Sequence, residues 1–316
     1  MTHPVRTVFL GSGAFAVPIV SRLATLRGVD IVSVVTAPPR PRDRGQRFQP
    51  SPVGTWAAQA GVDVLTPPRL RAADAVAAIA GLAPELLVLA DYGQIVPVEL
   101  LDLPRNGALN LHPSLLPRHR GATPIAGAIL SGDTETGVTL MRMDAGLDTG
   151  PIVAQVRTPI AHDETAPALE ERLAAMAADL LATSIGGWLA GSLHAAAQPE
   201  IGATLTRPLH RGDGRLDASR TAAELERQVR AYQPWPGSYI ETSAGRLIVW
   251  RASVDEAHAF GSAVGSPGTV VRTSDGGIGF QSADAILRLE EVQLAGGRRM
   301  RGTDLVRGRP QVVAAV

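Results

Sequence analysis

The amino-acid sequence predicts an open α/β domain that is followed by a smaller all-β domain. In the first 160 residues, short runs rich in aliphatic and β-branched residues alternate with helical patterns of apolar residues. Strands separated by helices pair in parallel and build an open, doubly wound sheet that is covered on both faces. Towards the C-terminus, short strand patterns recur about every ten residues with glycine-rich turns between them, as in a small barrel or sandwich. We therefore expect a mostly parallel, Rossmann-like sheet and then a small C-terminal β-barrel.

The elements of the first domain follow in order along the chain. Four strand runs should form the parallel sheet, with two early helices on its faces. An antiparallel pair joined by a glycine-containing turn is expected at the edge of the sheet, and a long alanine- and leucine-rich helix closes the domain. The predicted strands cover 5–11, 30–36, 85–93 and 107–113, the early helices 14–27 and 53–60, the antiparallel pair 135–144 and 150–160, and the closing helix 164–190.

The second domain follows a stretch of mixed composition and weak periodicity. Residues 191–206 (GSLHAAAQPEIGATLT) are predicted to be a linker between a catalytic domain at 1–190 and a C-terminal domain at 207–316. The C-terminal domain should contain one short helix and then five strands. The helix is predicted at 222–231 and the strands at 238–242, 246–254, 268–274, 277–282 and 285–294.

The composition excludes several kinds of chemistry. The chain has no cysteine, which excludes disulfides, thiolate nucleophiles, iron–sulfur clusters and cysteine-based zinc sites. It also has no lysine, so all 30 basic side chains are arginine, and Schiff-base catalysis and a P-loop lysine are excluded. The seven histidines show no metal-ligand spacing, and we expect no bound metal.

The sequence also bears on the compartment of the protein. No stretch approaches the ~18–20 consecutive apolar residues that a membrane span needs. The N-terminal residues MTHPVRTVFLGSG lack the basic start and the small-residue cleavage site of a signal peptide. A cytoplasmic protein is expected.

The strongest functional signal is the stretch NLHPSLLPRHRGATP (110–124). The chain has only two asparagines, and one of them, Asn110, stands two residues before His112 at the end of a predicted strand. Because side chains alternate along a strand, the amide and the imidazole share one face. Pro113 ends the strand, which places both polar groups at its carboxyl end, where open α/β sheets bind ligands. A lone buried histidine is more often structural, but this pair favours a functional site.

A basic loop follows the second predicted strand. The stretch APPRPRDRGQRFQP (37–50) holds four arginines and one acid among prolines and glycine, so it cannot pack as the interior of a helix or strand. Its guanidinium groups should project into solvent beside the strand ends, where they suit contacts with a phosphate backbone. A merely solvated charge cluster is the alternative. The four residues are Arg40, Arg42, Arg44 and Arg47.

The turn after the first strand, FLGSGAFAVP (9–18), contains the GxG pattern of dinucleotide sites. The third glycine of that fingerprint would stand at position 16, where the chain has alanine, and no acid ends the second strand. We therefore favour a tight strand-to-helix turn over a cofactor site.

Two acids lie in the turn of the predicted antiparallel pair, DAGLDTG (144–150). An aspartate in such a turn usually caps its own backbone. Capping explains one of Asp144 and Asp148 and leaves the other free for a functional role.

Together these segments resemble the folate-dependent formyltransferases, and most closely those that act on initiator methionyl-tRNA. The resemblance runs nearly end to end and includes GSGAFAVP, RPRDRG, ADYGQIVP, NLHPSLLPRHRGATPI, GVTLMRMDAGLDTGPI, QPWPGSY and RRMRGTDLVRGRP. It implies that 10-formyltetrahydrofolate donates a formyl group to the amino group of methionine on the initiator tRNA. It also implies an OB-like C-terminal barrel and a catalytic group formed by Asn110, His112 and Asp148.

The chemistry of these three side chains agrees with that assignment. An amine that attacks the formyl carbon generates an oxyanion, and Asn110 can donate an N–H to it. His112 can add a charge-assisted hydrogen bond if it is cationic, and the carboxylate of Asp148 would stabilise that cation. Through a water molecule, Asp148 could also act as the general base for the amine.

The resemblance implies a folate site in the cleft formed by ADYGQIVP, SLLP and GLDTG. Prolines limit backbone freedom there, and neighbouring peptide groups can bond the edge of the pterin ring. The aliphatic candidates could instead simply belong to the core. The candidate contacts are Ile95, Val96, Ser114, Leu115, Leu116 and Pro117.

The tRNA is implied to contact both domains. The basic loop would enter the acceptor stem, with Arg44 at the key arginine of the family. Gln46 departs from the pair of lysines that often follows the glycine there, which predicts weaker affinity of the loop. In the barrel, the arginines implied to lie along the RNA backbone are Arg298, Arg299 and Arg301.

Other functions share parts of this pattern. A formyltransferase that acts on an amino-sugar nucleotide would use the same three catalytic residues, and a hydrolase would use water as the acceptor. A non-catalytic RNA-binding protein is the alternative from a different class. The arginine-rich segments favour tRNA because a sugar nucleotide offers only two phosphates. A monomer is expected.

Overall fold

The computed structural model describes residues 3–42, 47–255 and 265–313 of the chain. The strands of the first 207 residues are β1 (Val5–Gly11), β2 (Val29–Val35), β3 (Arg40–Arg42), β4 (Arg47–Gln49), β5 (Val64–Leu65), β6 (Leu86–Ala90), β7 (Ala108–His112), β8 (Arg120–Gly121), β9 (Glu135–Arg142), β10 (Ile152–Pro159) and β11 (Leu205–Thr206). The helices of this part are α1 (Ala16–Leu23), α2 (Pro52–Ala60), α3 (Ala73–Gly81), α4 (Val98–Leu101), α5 (Pro124–Ser131) and α6 (Ala166–Leu189).

The remaining elements lie after residue 207. They are the 3-10 turn Arg211–Gly214, α7 (Ala222–Ala231), β12 (Ser238–Thr242), β13 (Gly245–Val254), β14 (Val270–Arg272), β15 (Ile278–Gln281), β16 (Ile286–Leu294), β17 (Met300–Arg301), α8 (Gly302–Gly308) and the 3-10 turn Pro310–Val312. In the part of the chain that the structure describes, no helix is long and apolar enough to cross a membrane.

The chain divides into two compact units. The first comprises residues 1–124, 135–159 and 170–207, and the second comprises residues 125–134, 160–169 and 208–316. Residues 191–206 thus lie in the first unit. The predicted boundaries at 190 and 206 stay predictions.

The first unit is built on a seven-stranded sheet in the order β10-β9-β7-β6-β1-β2-β5. β1 pairs in parallel with both β2 and β6, and β6 pairs in parallel with β7. β9 runs antiparallel to β7 and to β10. The predicted α/β class is confirmed: the sheet is mostly parallel and carries an antiparallel pair at one edge. The strand order reverses between β1 and β6, and ligands bind at the carboxyl ends of the strands beside such a reversal.

The central strands are uniformly apolar because both of their faces are covered. Every residue of β6, LLVLA, is buried, so its pattern is a continuous run rather than an alternation. Helix α1 is shorter than predicted and ends at Leu23. The hydroxyl of Thr25 donates to the carbonyl of Arg22 at 2.7 Å, a local bond that competes with continuation of the helix.

The second unit contains an antiparallel sheet in the order β12-β13-β16-β15-β14, with β17 beside β16. Register shifts between β13 and β16 interrupt the pairing near Arg251, and such bulges bend a sheet. The described strands therefore form a curled half-barrel, in keeping with the predicted OB-like domain. Its core is apolar and includes Leu225, Leu247, Val249, Leu287, Val292 and Leu305.

Truncation of a central core residue tests this architecture. Leu87 lies on β6 between β1 and β7 and is completely buried. We expect Leu87→Ala to lower the free energy of unfolding by about 2–5 kcal/mol, because a buried leucine loses its transfer energy and leaves a cavity. Chemical denaturation measures the change, and Val98→Ala, at a position that is 51% exposed, is the control. Equal effects of the two substitutions would contradict the packing described here.

Candidate active site

The end of β7 places two polar side chains at the carboxyl edge of the sheet. Asn110 pairs in register with Leu89 of β6 and Met141 of β9, and His112 pairs with Thr139. Leu109 and Leu111 are 0% and 1% exposed, so they fill the core on the opposite face of the strand. Alternation then puts Asn110 and His112 on one face, as the sequence predicts.

Both ring nitrogens of His112 face oxygen atoms. Nε2 lies 2.9 Å from the carbonyl oxygen of His119, which can only accept, so Nε2 must carry the proton of this bond. Nδ1 lies 3.5 Å from Oδ2 of Asp148. Only a doubly protonated ring can donate towards both oxygens. The imidazole is 5% exposed, which shields this pairing from solvent.

The two aspartates of the turn between β9 and β10 have different partners. Oδ1 of Asp144 accepts from the backbone N–H of Gly146 at 3.0 Å and from the hydroxyl of Thr149 at 2.7 Å. Asp144 is therefore the residue that caps the turn. Oδ2 of Asp148 accepts from the N–H of Gly121 at 2.8 Å and faces His112. Of the two carboxylates, Asp148 is therefore the one that does not cap the turn and lies beside the imidazole.

A network missed by the sequence analysis fixes the SLLP segment after His112. The hydroxyl of Thr139 donates to the carbonyl of Ser114 at 2.7 Å and accepts from the N–H of Leu116 at 3.1 Å. The amide of Gln155 donates to the carbonyl of Leu116 at 2.9 Å and to the same hydroxyl at 2.8 Å. Both residues lie on the antiparallel strands β9 and β10. Their side chains reach the segment only through the pairing of those strands, which a linear pattern does not reveal.

The candidate folate contacts divide by exposure. Val96 and Leu116 are buried, and Val96 belongs to the core of the first unit. Ser114 is buried and its hydroxyl donates to the carbonyl of Arg118 at 2.7 Å. Leu115 and Pro117 are partly accessible. Ile95 is 84% exposed and offers an apolar surface to a ligand. The folate contacts stay predictions.

The GSG turn after β1 uses its own N–H groups internally. Ser12 and Gly13 donate to the carbonyl of Asp91 at 2.9 and 3.3 Å. A Cβ at Gly13 would lie 1.6 Å from Oδ2 of Asp91, so a larger residue here would displace the carboxylate of Asp91. This geometry fits the tight turn that the sequence favours over a dinucleotide site.

Part of the basic loop forms a short hairpin rather than the irregular loop that was predicted. β3 and β4 pair with each other, with Arg40 opposite Gln49, in a two-stranded sheet separate from the main one. Because this hairpin is separate from the main sheet, it has no buried interior. The abundant prolines and charged residues therefore do not prevent its two strands from pairing. Arg40 is exposed. Arg42 and Arg47 face each other in the backbone register, and Arg44 and Gln46 lie outside the described residues.

The three predicted RNA-binding arginines of the second unit are exposed. Arg299 lies over the ring of Trp250, 5.2 Å from its centroid, and pairs with Glu291. Arg301 is at the start of α8. Within the described residues, the side chains of Arg298 and Arg301 therefore make fewer contacts than that of Arg299.

A second carboxylate missed by the sequence analysis lies at the end of β6. Asp91 has a φ of 47° and is exposed as a whole residue, while its Oδ2 occupies the space where a Cβ of Gly13 would stand. Desolvation, and to a lesser degree the nearby Glu170, raise the pKa of Asp91 to about 6. Burial also raises the pKa of Glu170. Among the described residues, no three histidine, cysteine or acidic side chains converge as a metal site would require.

Asp91 generates a prediction about stability and pH. A carboxyl whose pKa is raised by folding binds protons more readily in the folded state, so stability falls as pH rises from 3.8 to about 6. We expect Asp91→Asn to raise the Tm at pH 8, and the gain should shrink below pH 6 and vanish near pH 4. Thermal denaturation across this range measures it. A gain that does not depend on pH would instead reflect the easier left-handed backbone of asparagine.

Comparisons with known proteins identify relatives along the whole chain. Residues 5–185 match the family described as Formyl transferase, and residues 208–310 match Formyl transferase, C-terminal domain. The methionyl-tRNA formyltransferase of Pseudomonas fluorescens (strain Pf0-1) is 42% identical over 314 residues, which cover 99% of this chain and 96% of that protein. The methionyl-tRNA formyltransferase of Myxococcus xanthus (strain DK1622) is 42% identical over 308 residues, covering 98% and 96% respectively.

A solved structure supports the fold. The N-formyltransferase from Helicobacter canadensis, in complex with folinic acid and dTDP-3-aminofucose, superposes with a TM-score of 0.64 at 17% identity. The match covers 94% of this chain and 100% of that chain. At this identity the likeness concerns the fold alone.

Proposed function

The chain belongs to the methionyl-tRNA formyltransferase family, and we propose that Asn110, His112 and Asp148 carry out its reaction. The enzyme transfers a formyl group from 10-formyltetrahydrofolate to the amino group of methionine on initiator tRNA, a step in translation initiation. One observation carries the proposed roles: His112 and Asp148 meet at the carboxyl end of β7, on the face that Asn110 shares.

The reaction defines what these side chains must do. The amine of methionine forms a bond to the formyl carbon, the carbonyl oxygen becomes an oxyanion, and the bond to N10 of the folate then breaks. The amine loses a proton and N10 gains one, so the overall transfer is balanced without a covalent enzyme intermediate. Asn110 donates an N–H to the formyl oxygen and orients it for attack.

His112 strengthens this stabilisation as the negative charge develops. Its Nε2 is held by the carbonyl of His119, so Nδ1 is the atom that can turn its N–H towards the oxyanion. The 3.5 Å separation between Nδ1 and Asp148 is longer than the ~2.7–2.9 Å of an optimal charge-assisted bond. The proton is therefore not fully committed to the carboxylate. A bond from a cationic imidazole is stronger than one from a neutral donor.

Asp148 has two tasks in this scheme. Its charge stabilises the imidazolium of His112, and through a water molecule it accepts the proton that the amine releases. The N–H of Gly121 holds the carboxylate oxygen that faces the ring. The same carboxylate can then serve both steps without moving.

The substrates are bound by different parts of the chain. We assign the pterin to the cleft around the SLLP segment, with Ile95 as its most accessible apolar contact. We assign the tRNA to Arg40, Arg42, Arg44 and Arg47 of the basic loop and to Arg298, Arg299 and Arg301. A charged tRNA and a folate are cytoplasmic substrates, which supports a cytoplasmic enzyme. We propose that it acts as a monomer.

A panel of acceptors tests the proposed specificity. The purified protein is incubated with 10-formyltetrahydrofolate and initiator methionyl-tRNA, elongator methionyl-tRNA, an amino-sugar nucleotide or water, and formyl transfer is followed. We expect the highest kcat/KM with initiator methionyl-tRNA, because the arginine clusters can contact more phosphates than a sugar nucleotide offers. Preferential formylation of the amino sugar would favour the alternative function.

Substitutions test the proposed catalytic roles. Asn110→Ala and His112→Ala should each lower kcat by about two to three orders of magnitude, the usual loss when an oxyanion donor is removed. Asp148→Asn keeps an acceptor for Gly121 but removes the charge, and it should also nearly abolish turnover. Initial rates with both substrates saturating measure these changes.

Asn106→Ala is the matched control for Asn110. The backbone of Asn106 donates to Glu85 and accepts from Trp188, while its side chain forms no hydrogen bond with the residues that the structure describes. We expect this variant to keep near-normal turnover. Near-normal kcat/KM in Asn110→Ala or Asp148→Asn would refute the role of that residue.

A further inference from the structure

The segment predicted to be a linker makes a direct contact with Asp148, one of the proposed catalytic residues. Residues 191–206 lie in the first unit, and Ala196 forms a β-bridge with Ile152 of β10. At the end of the segment, β11 pairs in parallel with β8, which contains Arg120 and Gly121. The segment is thus attached to β10, which follows the GLDTG turn, and to β8, whose Gly121 binds the carboxylate of Asp148.

Gln198 occupies the centre of this segment, and its amide is fully used. The amide nitrogen donates to the carbonyl of Asp148 at 2.8 Å and to the carbonyl of Gly150 at 2.7 Å. The amide oxygen accepts from Nε and Nη2 of Arg120 at 3.1 and 2.9 Å. Two carbonyls on one side and a guanidinium on the other leave a single orientation of the amide that satisfies all four bonds.

Arg120 anchors this arrangement from within the protein. Its side chain is 8% exposed, so it is held in place by its surroundings. Glu200 lies 3.9 Å away but is 86% exposed, which makes it a weak ionic partner. The backbone of Arg120 donates to Thr204 at 2.9 Å and accepts from the hydroxyl of Thr206 at 3.1 Å. Gln198 is therefore the rigid connection between a buried cation and the catalytic turn.

The turn needs such a connection because Asp148 has an unfavourable backbone conformation. Its φ is 53°, in the left-handed region that residues other than glycine rarely adopt. Gly121 holds the carboxylate, and Gln198 holds the backbone carbonyls on either side of Thr149. Arg120 and Gly121 are neighbours on β8, so one strand fixes both ends of the same catalytic residue.

We propose that Gln198, held by Arg120, is a positioning residue that sets the distance between the carboxylate of Asp148 and His112. This inference rests on the proposed function. Gln198 touches neither substrate in this scheme and acts only through Asp148. A displacement of about 1 Å in a catalytic group can reduce the rate about 100-fold, so a modest shift of the turn would have a large effect.

The test uses Gln198→Glu in the full-length enzyme. This variant keeps the side-chain volume and the acceptor for Arg120, but it places an oxygen where the two carbonyls require a donor. We expect kcat to fall about 10–100-fold while both KM values stay near wild type, and the pH profile of kcat should shift because the Asp148–His112 pair is altered. Glu200→Ala, in the same segment but exposed, should leave kcat and the profile unchanged.

A double-mutant cycle separates positioning from general support of the fold. If Gln198 acts through Asp148, adding Gln198→Glu to Asp148→Asn should cost little further activity. Losses that multiply in the double variant, or a wild-type kcat in Gln198→Glu, would overturn the inference. If Gln198→Glu does not fold, as judged by circular dichroism, Gln198→Ala gives the same comparison. Full activity of Asp148→Asn would instead refute the proposed role of Asp148 itself.

Discussion

The contact between His112 and Asp148 is the interaction on which the rest of the site depends. One short segment holds both partners: the carbonyl of His119 fixes Nε2 of the imidazole, and the N–H of Gly121 fixes the carboxylate. These two backbone groups are two residues apart, so the relative placement of the acid and the base follows from the local geometry of a single strand end. A 5% exposed imidazole facing a carboxylate is only weakly screened by salt, which preserves the electrostatic coupling that the proposed mechanism requires.

Positive-φ residues other than glycine cluster around the candidate active site. Among the described residues, those other than glycine with positive φ are Ala83, Asp91, His119 and Asp148, and the last three lie at the carboxyl edge of the sheet or in the turn beside it. The backbones of Asp91 and His119 each form two hydrogen bonds, and Asp148 is held by one bond to its backbone carbonyl and one to its carboxylate. Such conformations persist only where the surrounding structure over-determines them, and they are typical of active sites. The seven-stranded sheet thus supports the loops in which these three residues lie.

The organisation of the first unit was predictable because it rests on local patterns. Alternating strand and helix signals indicate a parallel sheet, and the continuous apolar run of β6 records burial on both faces. The basic hairpin and the early end of α1 were not predictable in the same way. The hairpin is a two-stranded sheet separate from the main one, so its side chains show no pattern of burial. At the end of α1, the hydroxyl of Thr25 bonds the carbonyl of Arg22, a local bond that competes with continuation of the helix.

For the site, the sequence by itself determined that Asn110 and His112 share a face at a strand end, because the period of a strand is two and a proline follows. It also identified the two aspartates of the turn. Turn chemistry alone could not distinguish them, since either can cap a backbone, and only the family resemblance singled out Asp148. Only the tertiary structure decided that Asp144 caps and that Asp148 faces the imidazole. The roles of Thr139, Gln155 and Gln198 were likewise decided there, because each acts through hydrogen bonds to residues 16 to 78 positions away in the chain.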